Sequence, residues 1–200
     1  MRGAATEAQP RLGADFFARS VHTVARELIG CGLFYAGCGG TIVETESYER
    51  DDPACHAYVG LTKRTEVLFG PPGRAYVYLS YGIHSLLNAV AEPEGQAAAV
   101  LVRALEPTAD LEAMRKRRGE RPDIELCSGP GKLTDALGIG LDVNGADLSA
   151  DPFALLPRQP GWRGRILTGP RVGITKAAER PWRFSLAGSP YVSRPRPREA

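Results

Sequence analysis

The feature that most constrains this 200-residue chain is the apolar run Ala97–Leu105. Alanine, valine and leucine occupy both alternating faces of the run, and Arg103 is its only charged residue. A strand that is apolar on both faces needs other elements packed against both faces, which is typical of the centre of a sheet. We therefore predict that Ala97–Leu105 is the central strand of the fold.

Shorter segments separated by turn signals predict the rest of the sheet. The stretch Gly37-Cys38-Gly39-Gly40 predicts a hairpin turn, and Gly70-Pro71-Pro72-Gly73 predicts a rigid turn. Apolar and β-branched segments predict further strands over Gly32–Ala36, Thr41–Tyr48, Arg74–Ser80, Ile83–Ala91, Arg171–Thr175 and Arg183–Ala187. Residues 151–169 are rich in proline and glycine and are predicted to form a loop.

Short helices complete the predicted fold. Apolar residues at helical spacing over Val21–Leu28, followed by Gly30, predict one of them. Two more are predicted over Asp110–Arg118 and over Pro130–Leu137, where Gly138 ends the helix. The sequence thus predicts a single α+β domain over residues 14–193, with a mostly antiparallel curved sheet, short flanking helices and a protruding β-hairpin. Residues 1–13 and 194–200 are predicted to be a flexible N-terminus and a flexible basic tail.

Composition excludes several classes of protein. Hydrophobic residues make up 43% of the chain and charged residues 24%, which is typical of a globular protein and not of a disordered one. No run approaches the ~18–20 apolar residues of a membrane span, and the N-terminus has no apolar segment of a secretion signal, so we predict a cytoplasmic protein. The four cysteines form no CxxC pair and the three histidines are scattered, which predicts buried free thiols and no metal site.

The charge is unevenly distributed along the chain. The net charge of +2 is too small to indicate nucleic-acid binding by itself. From Arg158 to the C-terminus, however, ten basic residues are accompanied only by Glu179 and Glu199. This segment is either a solvated basic surface or the contact surface for an anionic partner.

One predicted strand carries an unusual polar row. With a period of two, Ile42, Glu44, Glu46 and Tyr48 share one face, and the last two lie about 6–7 Å apart. The row is either a solvated edge strand or the wall of a pocket. In a pocket, one of the two glutamates is placed to act as a general base beside an aromatic wall.

A second polar row is aromatic. Tyr76 and Tyr78 alternate with apolar residues on the predicted strand Arg74–Ser80, and Tyr81 follows at the break before Gly82. The tyrosines either pack on a half-exposed strand or offer a platform on which a nucleobase stacks, a contact worth about 1–3 kcal/mol per base. At a hairpin tip, Tyr81 would project as a wedge.

Arg103 is out of place in an apolar central strand, because arginine is seldom buried without a partner. Its partner is either a glutamate in a structural ion pair, with Glu44 and Glu106 as the candidates, a substrate phosphate, or a catalytic carboxylate. Asn88 and His56 are weaker candidates for a site. Together these residues indicate a pocket that contains a carboxylate and takes a flat aromatic ligand.

The assembled motifs resemble the alkyladenine DNA glycosylase family, also called the 3-methyladenine or methylpurine DNA glycosylases. The matching motifs run in family order from about Asp15 to Ser193. They are Val43–Tyr48, Asp52–His56, Tyr76–His84 with Asn88, Leu101–Pro107, Leu126–Leu133, Pro170–Ile174, Pro181–Phe184 and Gly188–Ser193. Ile83, where the family often has methionine, and Thr65, where it often has asparagine, depart from the pattern.

The resemblance implies a role for each candidate residue. Glu46 is implied to be the general base that activates water, with Arg103 and the backbone carbonyl of Val172 holding the water or the carboxylate. A flipped base is implied to lie between Tyr48, His56 and Tyr78, with Asn88 at the pocket floor. Tyr81 is implied to enter the minor groove and fill the gap that the base leaves.

The resemblance also implies the activity. It implies a monomeric repair enzyme without cofactor that acts on double-stranded DNA, flips out damaged purines and hydrolyses the N-glycosidic bond to leave an abasic site. With four lysines in the chain and none in the matched pocket motifs, no lyase step is expected. Two alternatives remain at this stage, a non-catalytic protein that binds DNA damage and a hydrolase of free nucleosides.

Overall fold

A computed structural model describes residues 10–196, and its main element is an antiparallel sheet. Within these residues the strands are β1 (Gly32–Tyr35), β2 (Cys38–Tyr48), β3 (Ala75–Ser80), β4 (His84–Ala91), β5 (Ala98–Ala109), β6 (Phe153–Leu156), β7 (Ile166–Gly169) and β8 (Arg183–Leu186). Their order is β3-β4-β5-β2-β1-β6, and β8 pairs with both β2 and β7. The predicted α+β fold is confirmed.

Short helices flank the sheet. They are α1 (Ala14–Phe17), α2 (Val21–Leu28), α3 (Leu111–Arg118), α4 (Asp123–Leu126) and α5 (Pro130–Leu137), with 3-10 turns over His56–Val59, Glu66–Phe69 and Leu141–Val143. The predicted spacing in α2 is confirmed, because its four apolar positions are all buried. Gly138 ends α5 with a left-handed conformation at φ 74°, as its sequence predicts.

The position of β5 confirms that the apolar run is central. It lies between β4 and β2, and Ala98, Val100 and Val102 pack in the main core with α2 and α5. Ala99, on the other face, belongs to a second apolar cluster with Tyr76. The second face of the sheet therefore carries the aromatic residues, and the main core supports it from behind.

The β1–β2 hairpin is tighter than its sequence predicts. The turn is at Ala36 and Gly37, which both have positive φ, and β2 begins at Cys38 and not at Thr41. Gly40 is a strand residue, and only glycine fits there, because a Cβ atom would lie 2.0 Å from the carbonyl oxygen of Glu106 on β5. The glycines thus permit close strand pairing, and the turn itself is short.

A β-bulge in β2 corrects the predicted polar face. The register with β5 shifts between Ile42 and Glu44 and again between Glu44 and Thr45. Ile42 consequently packs in the main core, whereas Glu44 binds Arg103. The prediction that Ile42 shares a face with the glutamates is therefore wrong, because a bulge interrupts the alternation on which it rests.

Two predictions in the C-terminal third are also wrong. Residues 151–169 contain the strands β6 and β7, which pair with β1 and β8. Arg171–Thr175 is not a strand, because the Arg171 side chain enters a buried ion pair and the Val172 N–H donates to a side chain. The predicted strand Arg183–Ala187 is confirmed as β8.

The predicted flexible ends fall partly outside the described residues, at 1–9 and 197–200. Nearer the domain, the Leu12 N–H donates to the Leu155 carbonyl, and Arg11 forms an ion pair with Asp151. The domain limits at 14 and 193 stay predictions.

The four cysteines are buried and free. Across residues 10–196, no helix combines the length and apolar character needed to cross a membrane.

Candidate active site

A cavity of about 260 Å³ opens beside the ends of β2 and β3. It is small for a ligand site, since ligand pockets usually enclose about 300–1,000 Å³. All five residues predicted to contact a flipped base or fill its gap line it, namely Tyr48, His56, Tyr78, Asn88 and Tyr81. Segments far apart in the sequence are thus brought to one place, as the resemblance implies.

Aromatic rings form the walls of the cavity. The His56 ring meets Tyr78 edge-on, with centroids 4.4 Å apart, and Tyr76 lies 5.5 Å from Tyr78. The Tyr76 hydroxyl lies 2.9 Å from His56 Nδ1. Tyr76 therefore lines the cavity and also holds the His56 ring, a role that the strand pattern alone does not distinguish from stacking on a ligand.

His56 is neutral at neutral pH. Burial, with a smaller contribution from the nearby Arg64 guanidinium, lowers the pKa of His56 to about 4. Arg64 itself lines the cavity, with Nη2 3.4 Å from His56 Nε2. The histidine wall consequently presents an uncharged ring to a ligand.

This lowered pKa predicts an acid-sensitive fold. Between pH 6.5, the ordinary pKa of histidine, and about 4, the unfolded chain binds a proton at His56 that the folded chain does not. The free energy of unfolding should therefore fall as the pH falls through this interval, and it should fall less in His56→Gln. Denaturant unfolding of both proteins at several pH values measures the difference, and parallel curves would contradict it.

Asn88 is held at the β3–β4 pair. Its Nδ2 donates to the Tyr76 carbonyl at 3.1 Å and more weakly to the Leu86 carbonyl at 3.4 Å. Asn88 is buried and lines the cavity. The backbone of the sheet thus fixes this amide at the cavity, and its implied role in base discrimination stays a prediction.

Tyr48 connects the cavity to Glu46. Its hydroxyl donates to Glu46 Oε2 at 2.8 Å. Burial, and next the Glu46 charge, raise the pKa of the Tyr48 phenol, so the phenol keeps its proton and remains a donor. The residue therefore contributes an aromatic wall and also orients the carboxylate behind it.

Glu46 is fully buried, accepts hydrogen bonds from two groups and forms an ion pair with a third. Besides the Tyr48 hydroxyl, the Val172 N–H donates to Oε1 at 2.8 Å, and Arg103 Nη1 lies 3.2 Å from Oε2. The contact from Val172 is made by its N–H and not by the carbonyl that the resemblance implies. The carbonyl's role with a water molecule stays a prediction.

Arg103, the one charged residue of the apolar central run, is buried with carboxylate partners. Its Nε donates to Glu44 Oε1 at 2.9 Å, and its Nη2 donates to Ser193 Oγ at 3.2 Å. Burial alone would lower the pKa of Arg103, but Glu46 and Glu44 outweigh it and raise that pKa. Arg103 therefore has two carboxylate partners, Glu44 and Glu46. Glu106, the other glutamate considered as its partner, is instead paired in register with Thr41 on β2.

Glu44 ties the centre of the sheet to the C-terminal segment. It accepts from Arg183 Nε at 2.6 Å and from the Ser193 N–H at 2.7 Å, in addition to Arg103. Glu44, Glu46, Arg103 and Arg183 thus form one buried cluster, in which Glu44 contacts both arginines and Glu46 contacts Arg103. Arg183 and Ser193 lie within motifs that carry the resemblance, but no sequence pattern assigns them to this cluster.

Tyr81 projects from the tip of the β3–β4 hairpin. Its side chain is 88% exposed, and Ile83 beside it is 74% exposed. Tyr81 has φ 51° and Gly82 φ 70°, and the Ile83 N–H closes the turn on the Ser80 carbonyl. Positive φ is uncommon for an aromatic residue, and such strain concentrates at functional sites. The protruding hairpin is confirmed.

Comparison with known proteins shows the family to which the chain belongs. The family model of methylpurine-DNA glycosylases matches residues 15–190. The chain belongs to the methylpurine-DNA glycosylase family. A relative from Rhodopseudomonas palustris is 59% identical over 94% of this chain and 91% of its own length. Others from Nitrosospira multiformis and Rhizobium meliloti are 54% and 52% identical, each over 90% of this chain and over 92% and 95% of their own lengths.

All three relatives carry the name "Putative 3-methyladenine DNA glycosylase". The family assignment confirms the resemblance and places the cavity in a methylpurine-DNA glycosylase fold. Within it, Tyr48, His56 and Tyr78 line the cavity, Tyr48 donates to Glu46, and Glu46 contacts Arg103. These contacts join an aromatic cavity to a buried carboxylate.

Proposed function

We propose that the chain is a DNA repair glycosylase that flips alkylated or deaminated purines out of duplex DNA and hydrolyses their N-glycosidic bond, leaving an abasic site. The substrates are 3-methyladenine, 7-methylguanine and hypoxanthine. The observation that carries this proposal is Glu46, a buried carboxylate that accepts hydrogen bonds from Tyr48 and the Val172 N–H, forms an ion pair with Arg103 and is linked to the aromatic cavity through Tyr48.

The cavity suits a cationic purine. N-alkylated purines carry a positive charge, and a cation over an aromatic face gains about 0.5–2 kcal/mol, depending on desolvation. Tyr48 and Tyr78 supply such faces, and the neutral His56 adds no repelling charge. Damaged bases are thereby favoured over normal ones, which are also costlier to extrude from the stack.

The reaction needs a carboxylate at this place. The N-glycosidic bond breaks with its electron pair going to the base, which leaves an oxocarbenium-like sugar. Water then bonds to the anomeric carbon while Glu46 accepts its proton. An N-alkylated purine departs as a neutral base, whereas hypoxanthine first needs a proton, for which the site assigns no donor.

The proposed enzyme is monofunctional. A lyase step requires an amine nucleophile, and none of the described residues that line the aromatic cavity is a lysine. We expect the abasic strand to stay intact until it is treated with alkali. The proposal also includes a monomer that acts on double-stranded DNA without cofactor, in the cytoplasm.

The test is base release from duplex oligonucleotides that each contain one lesion, with enzyme in excess. Chromatographic detection of the free base supports the glycosylase. Tight binding without release would favour the non-catalytic damage-binding alternative. Release from free nucleosides at the rate seen with DNA would favour a small-molecule hydrolase, for which an exposed wedge at Tyr81 has no use.

Binding to DNA is expected to weaken with salt. Each phosphate that the protein neutralises contributes a slope of about −0.9 to log affinity against log salt. Lys132 is exposed and lines a second cavity together with Tyr81 and His84. Lys132→Ala should reduce the slope by about one, measured by fluorescence anisotropy on an undamaged duplex. A wild-type affinity that does not change with salt would contradict the DNA substrate.

A further inference from the structure

Asp52 and Arg171 form a buried ion pair that no proposed catalytic step uses. Both Asp52 oxygens are bound, Oδ1 by Arg171 Nη2 at 3.1 Å and Oδ2 by Nη1, and both side chains are fully buried. Nη1 also donates to the Ser47 carbonyl at 3.1 Å. Since burying two charges is costly, such a pair is weak evidence for a stabilising role alone.

The pair fixes the segment that contacts the proposed general base. Arg171 binds the backbone at Ser47, and the next residue, Val172, donates its N–H to Glu46, the residue before Ser47. Two neighbouring residues of one segment thus bind two neighbouring residues of β2. Residues 170–176 belong to no strand, so no strand ladder fixes the Val172 N–H in place.

The same guanidinium lies behind the aromatic wall. The Arg171 Cζ atom is 4.5 Å from the Tyr48 ring centroid and 5.0 Å from that of Trp182. Tyr48 in turn donates to Glu46. Two of the three groups that bond Glu46, Tyr48 and Val172, are therefore in contact with Arg171 or adjacent to it in the chain.

We propose that the Asp52–Arg171 pair is a positioning element of the active site, which holds the Val172 N–H and the Tyr48 ring in the arrangement that orients Glu46. The pair acts through those groups and does not touch the substrate. This inference rests on the proposed glycosylase function. It predicts that loss of the pair slows hydrolysis by a larger factor than it weakens recognition of the damaged base.

The variants are chosen to leave no unpaired buried charge. Removing one partner of a buried pair is strongly destabilising, whereas replacing both by uncharged groups of similar volume is often tolerated. The test therefore uses Asp52→Asn with Arg171→Met. Arg171→Lys is a second variant, which keeps the charge balance but lacks the planar fork that binds Asp52 and Ser47 together. Arg115→Met with Asp123→Asn removes a half-exposed ion pair elsewhere and is the matched control.

The measurement is single-turnover release of 7-methylguanine from duplex DNA, with and without Glu46→Gln. With Glu46 present, we expect the double variant and Arg171→Lys to be slower by on the order of 10- to 100-fold, the cost of a misplaced catalytic group. Lesion affinity should fall by a smaller factor than the rate, and the control should match the wild type. In the Glu46→Gln background the same changes should cost nothing further, because the group they position is absent.

Two results would overturn the inference. One is an equal fold-loss in both backgrounds, which marks a general structural role. The other is wild-type release by Arg171→Lys, or by the double variant where it folds, which shows that the fork is not needed. A wild-type rate of base release by Glu46→Gln alone would instead remove the general base from the proposed function. That result comes from a different variant, so it can be told apart from the two results that overturn the positioning role.

Discussion

The Glu46→Gln variant is expected to lose base release by about 10²- to 10⁴-fold, the usual contribution of a general base, while it still binds lesion-containing duplex DNA. Glutamine has the same shape and accepts hydrogen bonds through its one carbonyl oxygen, but it cannot take a proton from water at neutral pH. Binding should persist because the walls that contact the base belong to other residues, chiefly Tyr48, His56 and Tyr78.

Because Glu46 lies in a buried cluster, this substitution affects more contacts than one at an exposed carboxylate. Arg103 loses one of its two anionic partners but keeps Glu44, which binds its Nε at 2.9 Å. The Val172 N–H and the Tyr48 hydroxyl donate to different oxygens of Glu46, so in glutamine one of these two donors faces the amide NH2 group and loses its acceptor. We therefore expect moderate destabilisation in addition to the loss of hydrolysis, and urea unfolding should be measured beside the kinetics.

A matched control comes from the neighbouring strand. Glu106 lies on β5, is half-buried and is paired in register with Thr41, away from the cavity. Glu106→Gln makes the same chemical change in the same sheet and should release base at the wild-type rate. Turnover by Glu46→Gln close to that of Glu106→Gln would remove Glu46 from the role of general base.

Local patterns in the sequence were sufficient to predict the frame of the fold. The apolar run on both faces of Ala97–Leu105 predicts the central strand β5, and helical spacing over Val21–Leu28 predicts α2. Both depend on burial that repeats within a few residues, which a sequence displays directly. The β6 strand shows the limit, because its four residues alternate in burial inside a region dominated by proline and glycine.

The contacts of the candidate site were beyond such patterns. Glu44 and Ser193 are 149 positions apart, Glu46 and Val172 are 126 apart, and Asp52 and Arg171 are 119 apart. No periodicity connects these positions, so only the ordered family motifs placed Glu46, Arg103 and Val172 together. The motifs also contained Asp52 and Arg171, but their pairing depends on side chains that meet only in the folded chain.

The β2 bulge explains why the strand was predicted correctly but Ile42 was assigned to the wrong face. In a regular strand, residues two apart point to the same face. A bulge inserts one extra residue and reverses this alternation, at a point that the sequence does not mark. Beyond it, Glu44 and Glu46 both reach Arg103, whereas Ile42 remains with the main core. The irregularity thus separates the residue that packs in the main core, Ile42, from the first glutamate that binds Arg103, Glu44, within three residues.

Tyr81→Ala is expected to weaken binding and slow excision on duplex DNA by about 10- to 100-fold, with a much smaller effect on single-stranded DNA. Extruding a base from a duplex costs a few kcal/mol, and each 1.4 kcal/mol corresponds to about a factor of ten. The Tyr81 side chain is almost fully exposed at a constrained turn, so it is available to fill the gap that the base leaves. A single strand has no closed stack to fill.

The comparison of substrates separates a wedge from a general contact. Tyr81→Phe keeps the ring and should behave like the wild type on both substrates. Tyr81→Ala leaves Ile83 and Leu79, which are also exposed at the tip, so the remaining activity measures what these smaller side chains contribute. Gel-shift affinity and single-turnover rates on matched duplex and single-stranded oligonucleotides give the two ratios. Equal losses on both substrates would contradict the wedge, because only the duplex requires the flipped base to be replaced in the stack.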